Sequence, residues 1–242
     1  MNKLYLECYS GISGDMTVGA LLDLGADKIV LENALNSLPI DGFEIKISKV
    51  SKSGLDACDF DVRLDEDNHD HDMEYLHGKE DSHVHDKHIH HHNHGEEDFH
   101  QHIHHHEDIN HTHSHEHHHG HGHSHRNLSQ ILDVIDHAEI TKNAKKIASD
   151  IFTILAKAEA KAHGVSIEEV HFHEVGAVDS IVDIVAVAVC IDNLNIDEVI
   201  VSPLYEGTGF IRCQHGVIPV PVPAVCEIVR DNDIDIKITN YE

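Results

Sequence analysis

The first 68 residues of the chain contain two different spacings of apolar side chains. Apolar residues that alternate with polar ones predict strands, and apolar residues three or four positions apart predict helices. The resulting order is a strand at 4–8, helices at 16–24 and 27–38, and strands at 43–47 and 60–64. Gly25, Pro39 and a turn at Ser53-Gly54 separate these elements. Residues 1–68 are therefore predicted to form a strand–helix–helix–strand–strand part of the core.

A second group of elements is predicted within residues 127–242. Asn127 to Gln130 resembles a capping box, and Gly164 ends the longest helix. The predicted order is helices at 128–135, 142–163, 178–194 and 224–230, with strands at 199–201 and 210–213. The helix at 178–194 is apolar on nearly all sides and is expected to be buried.

Two details of this second group are specific enough to test. In the longest helix, the residues expected to face the core are Ala144, Ile147, Ile151, Ile154, Leu155 and Ala158. Pro219, Pro221 and Pro223 are expected to exclude regular structure up to the last helix. Strands interleaved with helices favour an α/β or α+β fold, a layered strand–helix domain.

Residues 69–126 interrupt this domain as a histidine-rich insertion. Of the 29 histidines in the chain, 24 lie between His69 and His125, among acidic residues and without a cysteine. So polar a segment cannot bury enough apolar surface to order itself, so we expect it to be disordered. An idle loop and an affinity tag are the alternatives to a functional segment, but the run is internal and irregular, unlike a tag.

The histidine-rich insertion is interpreted as a metal-loading segment. Neutral imidazole binds borderline divalent ions such as nickel, zinc, copper and cobalt, and uptake should compete with protons. The most closely spaced candidate ligands are His90, His91, His92, His104, His105, His106, His117, His118 and His119.

Charge and composition exclude several classes of function. The net charge is −27, and no clustered basic footprint for nucleic acid is visible. No secretory signal or membrane-length apolar run is present. The five cysteines form no CxxC pair and suit a reducing compartment. We therefore expect a soluble cytoplasmic protein without a nucleic-acid or membrane partner.

The most specific chemical signal lies between His171 and Asp183. His171 and His173 can face one site from an extended segment, because side chains two apart point the same way. Glu174 is adjacent, and Asp179 and Asp183 lie four apart on one helix face. This mixed set of nitrogen and oxygen ligands is typical of a nickel, manganese or zinc site.

A purely structural interpretation of these residues stays open. Asp179 can serve as a helix cap, and His171 and His173 can be ordinary strand residues. The structural interpretation is weaker for Asp183, because its neighbours are apolar and an unpaired buried carboxylate is costly. We take Asp15, Asp179 and Asp183 as candidate catalytic carboxylates.

Glycine-rich turns supply the remaining candidates. Ser10, Gly11, Ser13 and Gly14 precede a helix start, where backbone N–H groups can hold a phosphate. From the spacing alone, a tight turn with Asp15 as a first-turn acid is the better explanation. The glycines around residues 206–216 flank His215, which is a further candidate metal ligand; ordinary turns are the alternative.

Three stretches resemble the LarC family of nickel-insertion proteins, with the histidine-rich insertion where that family carries one. These stretches are YSGISGDMTVGALLDLGAD, AEAKAHGVSIEEVHFHEVGAVDSIVDIVAV and GTGFIRCQHGVIPVPVPA, and the resemblance covers most of the chain. It implies CTP-dependent nickel insertion into pyridinium-3,5-bisthiocarboxylic acid mononucleotide, which gives the nickel-pincer cofactor of lactate racemase. The implied activity is that of a cyclometallase of the lyase class.

This chain resembles the N-terminal, nickel-binding portion of that family. The family's C-terminal region, which binds CTP with magnesium or manganese, is absent here. The resemblance implies that this region acts as a partner, joined in some members by programmed frameshifting, and homo-oligomers are possible. A nickel chaperone or store and a metal-dependent hydrolase remain the alternatives from the residues alone.

Overall fold

The computed structural model describes residues 1–65, 126–172, 176–213 and 216–239. Its helices are α1 (Gly14–Asp23), α2 (Lys28–Asn36), α3 (Leu128–His137), α4 (Lys142–His163), α5 (Val178–Asn193) and α6 (Pro223–Asp231). Its strands are β1 (Asn2–Leu6), β2 (Phe43–Lys52), β3 (Leu55–Leu64), β4 (Arg126–Asn127), β5 (His171–Phe172), β6 (Ile196–Val201), β7 (Leu204–Glu206), β8 (Gly209–Cys213), β9 (Gly216–Val220) and β10 (Ile236–Ile238). The predicted mixed α/β class is confirmed. The histidine-rich insertion lies outside the described residues except for Arg126.

Helix ends form where the sequence predicts them. Asp27 caps α2, because its Oδ1 accepts a hydrogen bond from the backbone N–H of Ile29 at 2.8 Å. The predicted capping box at α3 is present: Asn127 Oδ1 accepts from the Gln130 N–H at 3.0 Å, and Gln130 Oε1 accepts from the Asn127 N–H at 2.9 Å. Gly164 ends α4 in the left-handed conformation, with φ 67°.

Helix α5 lies in the middle of the core, where it packs against α1, α2 and α4. Ile181, Val182 and Val185 are 0% exposed. The helix is apolar on nearly all sides because neighbours cover nearly all sides, which confirms the predicted buried helix at 178–194. Asp183 interrupts the apolar run from Ile181 to Ile191, and its side chain faces the start of α1.

The inward face of α4 differs from the prediction at Ile154 and also includes Ala148, Phe152 and Ala156, which were not predicted to face the core. Ile154 is 40% exposed, whereas Phe152 is fully buried. Ala144, Ala148, Phe152 and Ala156 are four residues apart and form the buried stripe. Residues two apart on a helix are separated by roughly 200° around its axis, so Phe152 and Ile154 cannot both face the core. The prediction for Ile154 was therefore wrong.

The strands of the described chain pair two by two. Pairs β1–β6 and β7–β10 are parallel, whereas β2–β3, β4–β5 and β8–β9 are antiparallel. The predicted turn at Ser53-Gly54 joins β2 to β3. Helix α1 packs against β3, so the hairpin covers the helical core from one side.

The expectation that prolines exclude regular structure was wrong at Pro219 and Pro223, whereas Pro221 and Val222 lie outside the helices and strands, as expected. Pro219 lies in β9 opposite Phe210 of β8. A proline is tolerated there because β9 has one partner among the described strands, so the proline nitrogen can face away from it. Pro223 is the first residue of α6, where a missing N–H leaves no helical hydrogen bond unmade.

Candidate functional site

The start of α1 lies directly against the side chain of Asp183 on α5. A Cβ atom added to Gly14 would lie 2.7 Å from the Cβ of Asp183 and 2.8 Å from its Cγ. No side chain fits at that separation, so the glycine is what allows the two helices to approach here. The sequence placed Gly14 in a candidate phosphate turn, and the structure gives it this packing role.

The carboxyl group of Asp183 sits in a partly buried environment that favours its protonated form. Its Oδ1 atom is buried and has no hydrogen-bond partner in the part of the chain that the structure describes. Burial, followed by the negative charges of Asp15 and Asp179, raises the pKa of Asp183 to about 7. A hydrogen bond from the backbone N–H of Asp15 opposes this rise in pKa. Asp183 therefore changes its charge near neutral pH.

The other two predicted carboxylates flank Asp183 from different elements. Asp179 lies in the first turn of α5, and its Oδ1 accepts a hydrogen bond from the backbone N–H of Ser180 at 2.7 Å. The N-cap of α5 is Ala177, so Asp179 is a first-turn acid and does not occupy the cap position itself. Asp15 is exposed and accepts a hydrogen bond from the Ser13 hydroxyl. The structure thus brings Asp15, Asp179 and Asp183 together.

The turn before α1 keeps its candidate residues near this carboxylate group. Ser10, Gly11 and Ser13 are exposed, and the Gly11 N–H donates to the Cys8 carbonyl oxygen at 3.3 Å. Gly11 has φ 86°, a conformation that favours glycine. Below the turn, the Cys8 N–H donates to the buried Ser202 hydroxyl at 2.8 Å. The open side of the turn is therefore accessible to a ligand.

His171 lies on the surface at a short strand pair. Strand β5 pairs with β4 so that His171 is opposite Asn127 and Phe172 is opposite Arg126. The two residues of β4 follow His125 directly in the sequence. The strand pair therefore places the carboxyl end of the histidine-rich insertion next to the strand that carries His171.

Arg126 is a site residue that the sequence interpretation did not single out. Its Nη1 donates a hydrogen bond to the Gly176 carbonyl oxygen at 3.1 Å, and burial lowers the pKa of its guanidinium. A Cβ at Gly176 would lie 2.7 Å from the Phe172 carbonyl oxygen, so both ends of the 173–175 segment are held together. The sequence feature that could have identified Arg126 is its position as a single arginine between the histidines of the insertion and a helix cap.

The predicted metal ligands other than His171 lie outside the described residues. These are His173, Glu174, His215 and the nine closely spaced histidines of the insertion. Within the described ranges, no three His, Cys, Asp or Glu side chains are arranged to hold a metal ion. The metal set therefore stays a prediction, and the described carboxylates offer proton transfer and charge as their chemistry.

Comparison with known proteins gives a consistent family. The family described as nickel insertion protein matches residues 4–242. The chain is 51% identical over 240 residues to the pyridinium-3,5-bisthiocarboxylic acid mononucleotide nickel insertion protein of Alkaliphilus metalliredigens (strain QYMF), which covers 99% of this chain and 48% of that protein. The protein of the same name from Acetivibrio thermocellus is 39% identical over 234 residues, which cover 97% of this chain and 46% of that protein. The one from Clostridium acetobutylicum is 46% identical over 245 residues, which cover 100% of this chain and 53% of that protein.

The chain spans about half the length of the curated relatives it matches. No solved structure matches it. None of the helices in the described ranges is long and apolar enough to cross a membrane.

Proposed function

The chain belongs to the nickel insertion protein family, and from this membership we propose that it takes part in nickel insertion into pyridinium-3,5-bisthiocarboxylic acid mononucleotide. The observation that carries the proposal is the match to proteins of that name over 99% of this chain at 51% identity. Nickel is the substrate of this reaction, not a resident cofactor. The activity of the family is a cyclometallation of the lyase class, on the path to the nickel-pincer cofactor of lactate racemase.

Nickel is collected by the histidine-rich insertion and passed to a firmer site at His171, His173 and Glu174. Many weak imidazole ligands exchange readily, which suits collection more than retention. The pairing of β4 with β5 supports the transfer, because it anchors the end of the insertion beside His171. The two thiocarboxylates and a ring carbon of the substrate then replace the protein ligands.

Asp183 accepts the proton that this exchange releases. A bond from nickel to the ring carbon forms as a carbon–hydrogen bond breaks, so one proton leaves for each substrate metallated. A base works best when its pKa lies near the operating pH, and the pKa of Asp183 is about 7. Burial raises that pKa most, and the negative charges of Asp15 and Asp179 raise it further.

The turn formed by Ser10, Gly11, Ser13 and Gly14 holds the phosphate of the mononucleotide. Ser10, Gly11 and Ser13 are exposed, and Ser13 makes no side-chain capping hydrogen bond at the start of α1, where the helix dipole favours an anion. The charge of Asp15 has to be offset by a cation in that complex. CTP with magnesium or manganese binds to the C-terminal region of the family, so no residue of this chain is assigned to CTP.

Reconstitution tests this function. The chain is combined with CTP, nickel, the mononucleotide and the region of the Alkaliphilus metalliredigens relative that this chain does not match. The buffer has the pH and ionic strength of cytoplasm. We expect nickel incorporation to require every component. Absence of the metallated product at any protein concentration would refute the proposal.

A nickel chaperone or store without catalysis is the second candidate, because 24 of 29 histidines lie in one segment. Deletion of residues 69–125 separates the two functions. A store loses its function with the segment, whereas an insertion protein keeps its turnover when nickel is abundant. Native mass spectrometry of both proteins would also report the proposed homo-oligomer.

A further inference from the structure

An apolar groove runs between β1 and α1 on the surface. It has a volume of about 330 Å³, and Tyr5, Ile12, Met16 and Leu24 lie along it. These four side chains are 52%, 49%, 62% and 57% exposed. Single exposed apolar residues are ordinary, but a contiguous group that lines a groove marks an interaction site. We call this feature the β1–α1 groove.

The strand pair beside the groove is also uncovered. Val199, Ile200 and Val201 of β6 are 42%, 41% and 45% exposed, although consecutive strand residues point to opposite faces. Parallel strands are normally covered on both faces. Ile200 is opposite Tyr5, so its side chain lies on the same face of the strand pair as Tyr5, which lines the β1–α1 groove. In the described chain, the second edge of β6 has no strand partner.

The end of the described chain lies near this surface. The Thr239 N–H donates to the Glu206 carbonyl oxygen at 2.8 Å, which extends the pairing of β10 with β7. Strand β7 begins three residues after β6 ends, and Tyr205 of β7 makes an edge-to-face contact with Tyr9 at a centroid distance of 5.9 Å. A polypeptide that continues from β10 therefore starts close to the groove.

The greater length of the relatives indicates which polypeptide binds at the β1–α1 groove. The match covers 48% of the Alkaliphilus metalliredigens protein and 46% of the Acetivibrio thermocellus protein, so each contains a further region of similar size. We infer that the β1–α1 groove and the open edge of β6 form the docking surface for that second region, either joined to this chain or as a separate polypeptide. An apolar segment fills the groove while a strand adds to β6.

This inference rests on the relation to longer relatives and needs neither nickel nor turnover. The probe is the region of the Alkaliphilus metalliredigens relative that this chain does not match, titrated onto the full chain without metal. Ile200→Asp and Leu24→Gln change the surface at exposed positions. Ile154→Asp on α4 is the matched control, because Ile154 is 40% exposed and Ile200 is 41% exposed.

We expect the probe to bind the full chain. Ile200→Asp and Leu24→Gln should each weaken this binding at least about tenfold, whereas Ile154→Asp should change it less than about twofold. Equal effects of Ile200→Asp and Ile154→Asp, or no binding by a folded probe, overturn the inference. Self-association of the chain that Ile200→Asp abolishes also overturns it, because the occupant is then a second copy.

A second measurement tests the same inference if the probe is insoluble when it is expressed alone. The same region is then expressed after residue 242 in one polypeptide, and amide hydrogen exchange is compared with that of residues 1–242. We expect β6 amides to exchange at least about tenfold more slowly in the longer chain, and Ile200→Asp to reverse this protection. Unchanged exchange in β6 overturns the inference.

Discussion

Gly14 and Asp183 are in contact across the α1–α5 interface, and the contact joins the fold to the chemistry of the site. A Cβ on Gly14 would lie 2.7 Å from the Asp183 Cβ, closer than unbonded carbon atoms pack. The same close approach removes water from one side of the carboxyl group. Burial is the largest cause of its raised pKa.

The first prediction concerns Gly14→Ala. The added methyl group has to displace either α1 or the Asp183 side chain, so we expect a loss of about 1–3 kcal/mol in the free energy of unfolding. Chemical denaturation measures this loss. The double variant Gly14→Ala with Asp183→Gly provides the control, because removing the whole Asp183 side chain, including its Cβ, makes room for the methyl group. Strictly additive effects of the two changes would contradict the proposed contact.

The second prediction concerns stability and pH. The pKa of Asp183 is about 7 in the folded chain against an ordinary value of 3.8, so between these values the folded state holds a proton that the unfolded state has lost. The contribution of Asp183 to stability is therefore fully present below about pH 4 and is lost as pH rises to about 7.

Asp183→Asn removes this dependence because the amide stays neutral. At pH 8 we expect the variant to unfold at a higher denaturant concentration than the wild type. Its free energy of unfolding should be larger by on the order of 1–2 kcal/mol, after allowing for the partial exposure of the site. The two proteins should converge near pH 4. Asp150→Asn, on the exposed side of α4, serves as the control and should leave the pH profile unchanged. A wild-type advantage that grows with pH would contradict the assignment.

The sequence predicted the helices well because local signals determine their ends, whereas it missed the short strands β7, β9 and β10. The caps at Asp27 and Asn127 and the stop at Gly164 depend on residues within one turn of each helix end. The convergence of Asp15 with Asp183 could not be predicted, since those residues are far apart in sequence and meet only through packing. Likewise, no local signal pairs Arg126 with Gly176. The error at Ile154 has the same origin, because two apolar faces compete on α4 and tertiary contacts choose between them.

The third prediction concerns Arg126 as a positioning residue. Arg126→Gln removes the hydrogen bond to the Gly176 carbonyl oxygen, which helps to hold Gly176 beside Phe172. We expect nickel affinity at the site outside the histidine-rich insertion to fall about tenfold or more, as losses of supporting hydrogen bonds around metal sites do. Isothermal titration with the chain lacking residues 69–125 isolates that site from the other histidines.

The control for Arg126 is Arg63→Gln. Arg63 of β3 is exposed and pairs with Asp61 at 2.9 Å, so its loss should change neither nickel affinity nor the fold. Thermal unfolding checks that Arg126→Gln stays folded. Equal nickel affinity in the wild type and the Arg126→Gln variant would refute the positioning role.

The fourth prediction concerns the rate of nickel insertion as a function of pH. If Asp183 accepts the proton released at the ring carbon, only its ionised form is active, so the rate should rise with pH and level off above about 7. Asp183→Asn should lower the rate at pH 8 by about 10²-fold or more and leave nickel binding unchanged.

Asp179→Asn tests the electrostatic contribution to the pKa of Asp183. This variant removes one negative charge beside Asp183, so the pKa of Asp183 falls and the midpoint of the rate profile moves to lower pH. A midpoint that stays in place in Asp179→Asn, or a rate profile that survives in Asp183→Asn, would assign the proton to another group.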